Sequence, residues 1–192
     1  MNSKRNDIYK ILFSIYCIIC IILILYMNLS YGYSYWEIQS AGKYSSDKIV
    51  EYSYFYDVSC KDLLFGKDKM VFDITMSEIR ELMPGAIILI WVCISLIFAA
   101  LVLAIIDVLK NKKVLSFIGG FCVVLAFFLL LFLPAFYHSY DEGTLRYNRY
   151  LVYPLEIWGV GFTTAILVTF FEGRHYIASR RYKIEKEEIN EN

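Results

Sequence analysis

The stretch PGAIILIWVCISLIFAALVLAIID, from Pro84 to Asp107, carries no charge before its last residue. A helix rises ~1.5 Å per residue, so this length matches the ~30 Å hydrocarbon core of a bilayer. Three further runs are similarly apolar: Ile8 to Asn28, Val114 to Tyr137 and Leu151 to Phe171. Within the four runs the only carboxylates are Asp107, at the inner end of the second, and Glu156, one turn into the fourth. The sequence therefore predicts an integral membrane protein, mainly α-helical, built as a bundle of four spans.

Basic residues set the orientation. Lys4, Arg5 and Lys10 flank the first run, Lys110, Lys112 and Lys113 fill the turn between the second and third, and Arg174, Arg180, Arg181, Lys183 and Lys186 follow the fourth. The positive-inside rule makes these segments cytoplasmic. The expected order is an inner N-terminus (1–7), span 1 (8–28), a large outer loop (29–83), span 2 (84–107), an inner turn (108–113), span 3 (114–137), a short outer loop (138–150), span 4 (151–171) and an inner tail (172–192). The zero net charge conceals an asymmetry. With Lys10 and Asp107 counted inside and Glu156 outside, the inner segments hold 11 of the 19 Lys/Arg but only 7 of the 19 Asp/Glu. No cleavage pattern follows span 1, which reads as an anchor that stays in the protein. The expected location is the cell membrane, multi-pass, with both termini cytoplasmic. Nothing is basic enough for nucleic acid.

The outer loop adds a second kind of structure. Tyr31, Tyr33 and Tyr35 alternate with Gly32, Ser34 and Trp36, and Tyr52, Tyr54 and Tyr56 alternate with Ser53, Phe55 and Asp57. Such period-two patterning predicts strands of a small antiparallel sheet, with Lys69 to Ile74 as a shorter partner strand. Thr75 and Glu78 form a capping-box pattern that starts a short helix over 76–83, and Pro84 interrupts it ahead of span 2. Trp36, Tyr52, Tyr54, Phe55 and Tyr56 are candidate partner-contact residues. Tyr26, Tyr31, Tyr137, Tyr150 and Tyr153 suit an interfacial belt instead. Of five cysteines, Cys17, Cys20, Cys93 and Cys122 lie in apolar runs as small packing residues. Cys60 is alone in the outer loop, so it is either a free thiol or bonded to another chain.

This layout resembles the claudin and peripheral myelin protein superfamily. Trp36, the Tyr54-Phe55-Tyr56 group followed by Cys60, and the segment Met76 to Met83 leading into span 2 occupy similar places. The family's Gly-Leu-Trp sequence and second cysteine are absent. The resemblance implies a β-rich first outer loop on four spans and contact with neighbouring proteins.

No nucleophile, metalloprotease or phosphate-loop motif occurs, and His138 and His175 lie at opposite span ends, which excludes a shared haem. The expectation is a non-enzymatic protein without cofactor or metal. Glu156 is the candidate intramembrane acid, because a carboxylate at membrane depth is costly unless paired or hydrated. Gly161, Ala165, Thr169 and Gly173 form a small-residue stripe on span 4 that admits a close helix neighbour, with Ser116 and Gly120 of span 3 as a facing pair. Expected partners are the lipid bilayer and a protein, or a second copy, met through the outer loop or span 4. The alternative is a structural or accessory subunit of a transporter, channel or membrane redox complex.

Overall fold

The computed structural model describes residues 2–37, 49–50, 56–66, 69–71, 74–110, 114–142, 145–153 and 155–191. In chain order the elements are α1 (Asn2–Tyr26), β1 (Asn28–Glu37), β2 (Ile49–Val50), β3 (Tyr56–Ser59), α2 (Cys60–Phe65), β4 (Met70–Val71), β5 (Ile74–Thr75), α3 (Met76–Leu82), α4 (Pro84–Lys110), α5 (Val114–Leu130), β6 (His138–Glu142), β7 (Leu145–Val152) and α6 (Leu155–Glu191). The protein is mostly helical with a small antiparallel sheet. Among the described residues one helix, α4, is long and apolar enough to cross a membrane; Lys10–Tyr26 and Val114–Leu130 are apolar but shorter. The chain divides into two units, residues 1–23, 92–128 and 158–192, and residues 24–91 and 129–157.

The first unit is all helical, and its inward faces recur at three- and four-residue intervals, the spacing that stacks side chains on one side of a helix. Lys10, Phe13, Cys17 and Cys20 are buried on α1; Cys93, Ile97, Ala100, Ala104 and Asp107 on α4; Ser116, Val123 and Ala126 on α5. Most of these are small. A Cβ on Gly119 would lie 3.2 Å from the Ala100 carbonyl oxygen and from the Phe13 ring, so hydrogen at this position is what lets the helices close. The Cys93 thiol donates to the Ala126 carbonyl at 3.2 Å. None of the five cysteines forms a disulfide.

The second unit is organised by β1. One edge of β1 pairs with β3 near its start and with β2 near its end. The other edge pairs antiparallel with β7 over eight positions, from Ser30 opposite Val152 to Glu37 opposite Leu145, and β7 pairs in turn with β6. Leu29, Tyr31, Val58 and Leu151 come together in register and are buried.

Several expected boundaries shift. Asn28 opens β1 rather than closing span 1, α5 ends at Leu130 rather than Tyr137, and Leu151–Val152 finish β7 rather than beginning span 4. Residues 138–150, expected as a loop, form most of a hairpin whose second strand joins the main sheet. Aromatic and branched residues count as apolar in any span-length window, yet here the ladder uses them; Pro134, inside the 3-10 turn Leu133–Ala135, also lacks the N–H needed to extend α5. The tail after residue 172 continues as helix to Glu191. Among the described residues Met70–Val71 and Ile74–Thr75 pair only with each other, not with the tyrosine strands. Helix α2 follows β3 directly, capped by the Ser59 hydroxyl, which accepts from the Asp62 N–H at 3.0 Å. Of the strand expected from Tyr52 onward, residues 52–55 lie outside the described residues.

At α3 the Thr75 and Glu78 pattern forms the capping box. The Thr75 N–H donates to Glu78 Oε2 at 2.5 Å, and the Glu78 N–H donates to Thr75 Oγ1 at 3.3 Å. Hydrogen bonds from the Thr75 backbone, then its hydroxyl, hold the Glu78 carboxyl below its usual range. A lowered folded pKa means that this support is complete above the ordinary glutamate value of ~4.3 and is lost as pH falls through the folded value. Thr75→Ala should cost α3 about 1 kcal/mol of local stability at neutral pH. Amide exchange over residues 76–82 should quicken accordingly, and Glu78→Gln should flatten its acid dependence.

Candidate functional site

Strand register places the aromatic residues of three strands side by side. On β1, β7 and β6 the sequence Tyr35, Tyr147, Tyr140 forms one row across the sheet, and Tyr33, Arg149, His138 forms the next. Alternation puts both rows on the same face. The rings are in contact: Tyr35 and Tyr147 centroids are 5.4 Å apart, Tyr140 and Tyr147 5.1 Å apart at 12°, and Tyr33 and Tyr147 6.1 Å apart. Tyr147 is thus the hub. The Arg149 guanidinium lies 4.9 Å above the Tyr140 ring and donates to its hydroxyl at 3.3 Å, while the His138 ring stacks at 6.2 Å on its other neighbour side. All six side chains are half-buried. Stacked rings in a fixed ladder lose little side-chain freedom on binding, which suits them to contact.

On the opposite face the β6–β7 hairpin presents mainly polar side chains. Arg146 faces Asp141 across the β6–β7 ladder, its Nε donating to Oδ1 at 2.7 Å and its Nη2 to Oδ2 at 3.2 Å, and both groups are exposed. That bidentate pair holds the Asp141 carboxyl below its usual range.

The expected contact residues are distributed differently. Trp36 stands in β1 opposite Arg146; its side chain lies outside the described residues, as do Tyr52, Tyr54 and Phe55 altogether. Tyr56 begins β3 opposite Tyr31 and is half-buried. Cys60 starts α2 with 0% exposure, its backbone N–H donating to the Met27 carbonyl at 2.9 Å. A thiol so enclosed is not presented to a second chain. The span-4 stripe lies on α6 against α5: a Cβ on Gly161 would fall 2.3 Å from the Phe127 ring, one on Gly120 would fall 2.6 Å from Thr169 Oγ1, and one on Gly173 would fall 2.9 Å from the Phe117 ring. Ala165 and Thr169 are buried. Glu156 is in the first turn of α6, and its side chain lies outside the described residues. Tyr140, Tyr147 and Arg149 are not singled out in the sequence reading, although their alternation with Ser139, Asn148 and Tyr150 is a strand signal that could have placed them on one face.

A second polar constellation sits inside the helical unit. Lys10 Nζ lies 3.0 Å from Asp107 Oδ1 and donates to the Asp107 carbonyl oxygen at 3.1 Å; the Ser116 hydroxyl donates to Asp107 Oδ2 at 2.5 Å. Exposure is 4% for Lys10, 1% for Asp107 and 0% for Ser116. Glu172 lies close enough to feel both charges. This joins α1, α4 and α5 at one end of the unit. Lys10 and Asp107 read in the sequence as boundary charges, and nothing in their spacing pairs residues so distant. The described residues contain no group of His, Cys, Asp and Glu able to hold a metal ion.

No protein-family model matches this chain, and no curated protein matches it significantly in sequence.

Removing one member of the buried pair leaves the other charge uncompensated. Lys10→Met should therefore destabilise the protein by about 3–5 kcal/mol, and the double change Lys10→Met with Asp107→Asn should recover much of that loss. Thermal unfolding of the purified chain in detergent measures both. Equal stability of Lys10→Met and the parent would show that the pair contributes nothing.

Proposed function

We propose that this chain is a four-span, multi-pass membrane protein without catalytic activity, which uses the tyrosine face of its outer sheet to contact a protein partner. The observation that carries the contact is the ring stack centred on Tyr147. Tyrosine and arginine are enriched where proteins meet, and here four tyrosines and Arg149 form one half-buried patch on three hydrogen-bonded strands.

The membrane part is supported by the outward sides of the helices. Ile11, Ile15, Ile18 and Ile22 on α1, Phe98, Val102 and Ile105 on α4, Ile118, Phe121 and Leu125 on α5, and Leu167 and Phe170 on α6 are all exposed. Water does not tolerate apolar surface of that extent on a soluble monomer, whereas lipid tails solvate it. The four spans expected from the sequence give each of these helices that solvent. The claudin-like plan belongs to the same proposal, with the β-rich segment outside and α3 leading into α4.

Orientation is tested by single-cysteine labelling with an impermeant reagent in intact cells. A cysteine replacing Gly143 should react from outside and one replacing Asn111 should stay protected. Reaction at Asn111 from outside would reverse the topology.

Contact is tested by a photo-crosslinking residue placed at Tyr147 and, as control, at Ser139 on the polar face. The Tyr147 probe should yield protein adducts in intact membranes and the Ser139 probe far fewer. Equal yields, or none at Tyr147, would remove the tyrosine face as the contact surface.

A further inference from the structure

Between α5 and α6 runs an apolar groove of about 400 Å³. Phe117 and Phe121 form its α5 wall, and Ile166, Phe170 and Ile177 its α6 wall. Its floor offers nothing polar to a ligand. Gly173 brings α6 against Phe117, and the Thr169 hydroxyl is already committed to the Ala165 carbonyl at 2.7 Å. The one charged lining residue is Arg174, which is exposed and forms no ion pair among the described residues. The nearest acid in sequence, Glu172, is two residues away and so about 200° round the helix, on the side of Lys10 and Asp107. The positive charge at the mouth is therefore not cancelled locally.

The dimensions select the ligand. From Ile166 to Ile177 the helix rises about 16 Å, close to one leaflet of a ~30 Å hydrocarbon core. Arg174 is also the first basic residue after the fourth apolar run, the position of an inner headgroup. We propose that this groove binds one glycerophospholipid with an anionic headgroup, its acyl chain between the phenylalanines and its phosphate at Arg174. The inference rests on the membrane-spanning reading above.

The full chain, incorporated into nanodiscs of phosphatidylcholine with a minority of phosphatidylglycerol, would be released for native mass spectrometry. One phosphatidylglycerol should be retained in preference to phosphatidylcholine. Arg174→Gln should lower that preference about fivefold, the factor expected for one basic residue at an anionic surface. Ile166→Trp fills the groove without changing charge and should reduce retention of both lipids, whereas Arg180→Gln should change neither. Equal retention of the two lipids by the parent chain, or an unchanged preference in Arg174→Gln, would overturn the proposal. Displacement of the lipid by soluble glycerol phosphate would also overturn it, because the acyl groove would then contribute nothing. A chain that fails to incorporate into nanodiscs at all would instead overturn the membrane reading.

Discussion

The antiparallel register between β1 and β7 is the constraint on which the sheet-bearing unit depends. Among the described residues strand β6 reaches the sheet only through β7, while β2 and β3 reach it only through β1. An isolated two-stranded hairpin is marginal in water, so the β6–β7 hairpin needs β1 beside it to be a stable element. The same pairing sets the tyrosine rows, since it is what puts Tyr35 opposite Tyr147 and Tyr33 opposite Arg149. A slip of one residue would turn all of these side chains to the other face and bring Leu29, Tyr31 and Leu151 out of the core.

How much of this was legible depends on the range of the interaction. The Thr75–Glu78 box involves neighbours three apart, and the sequence pattern is sufficient to place the start of α3. Alternating tyrosines over 31–35 announce a strand for the same reason. The partner of that strand is not announced, because Leu151 and Val152 are equally suited to a span or a ladder and β7 lies far along the chain. Tyr150 likewise fits an interfacial belt by residue type, and its place between Arg149 and Leu151 in β7 is a second feature that residue type does not announce. Glycines could be seen to form a stripe, but that Gly161 meets Phe127 and Gly173 meets Phe117 required the packing of α6 on α5. The least legible feature is Lys10 with Asp107, since each charge alone has a sufficient explanation at a membrane boundary.

That buried pair has a role distinct from its small net contribution to stability. Two ions removed from water recover their desolvation cost only when geometry is good and the remaining lone pairs are filled, as the Ser116 hydroxyl does for Asp107 Oδ2. Around the pair, small apolar side chains such as Cys17, Ala100 and Ala104 are buried in the same unit. Sliding α1 by a turn relative to α4 would strand both charges. The pair thereby opposes such a slide.

The free edge of the sheet has its own consequence. Among the described residues strand β6 pairs with β7 on one side only, and an open edge of this kind is a template on which a foreign strand can add. Its short length and the exposed Asp141 and Glu142 work against that, because an incoming strand would have to settle its backbone beside two carboxylates, one of them already fixed by Arg146. Lateral growth of the sheet into fibrous assemblies is thereby discouraged.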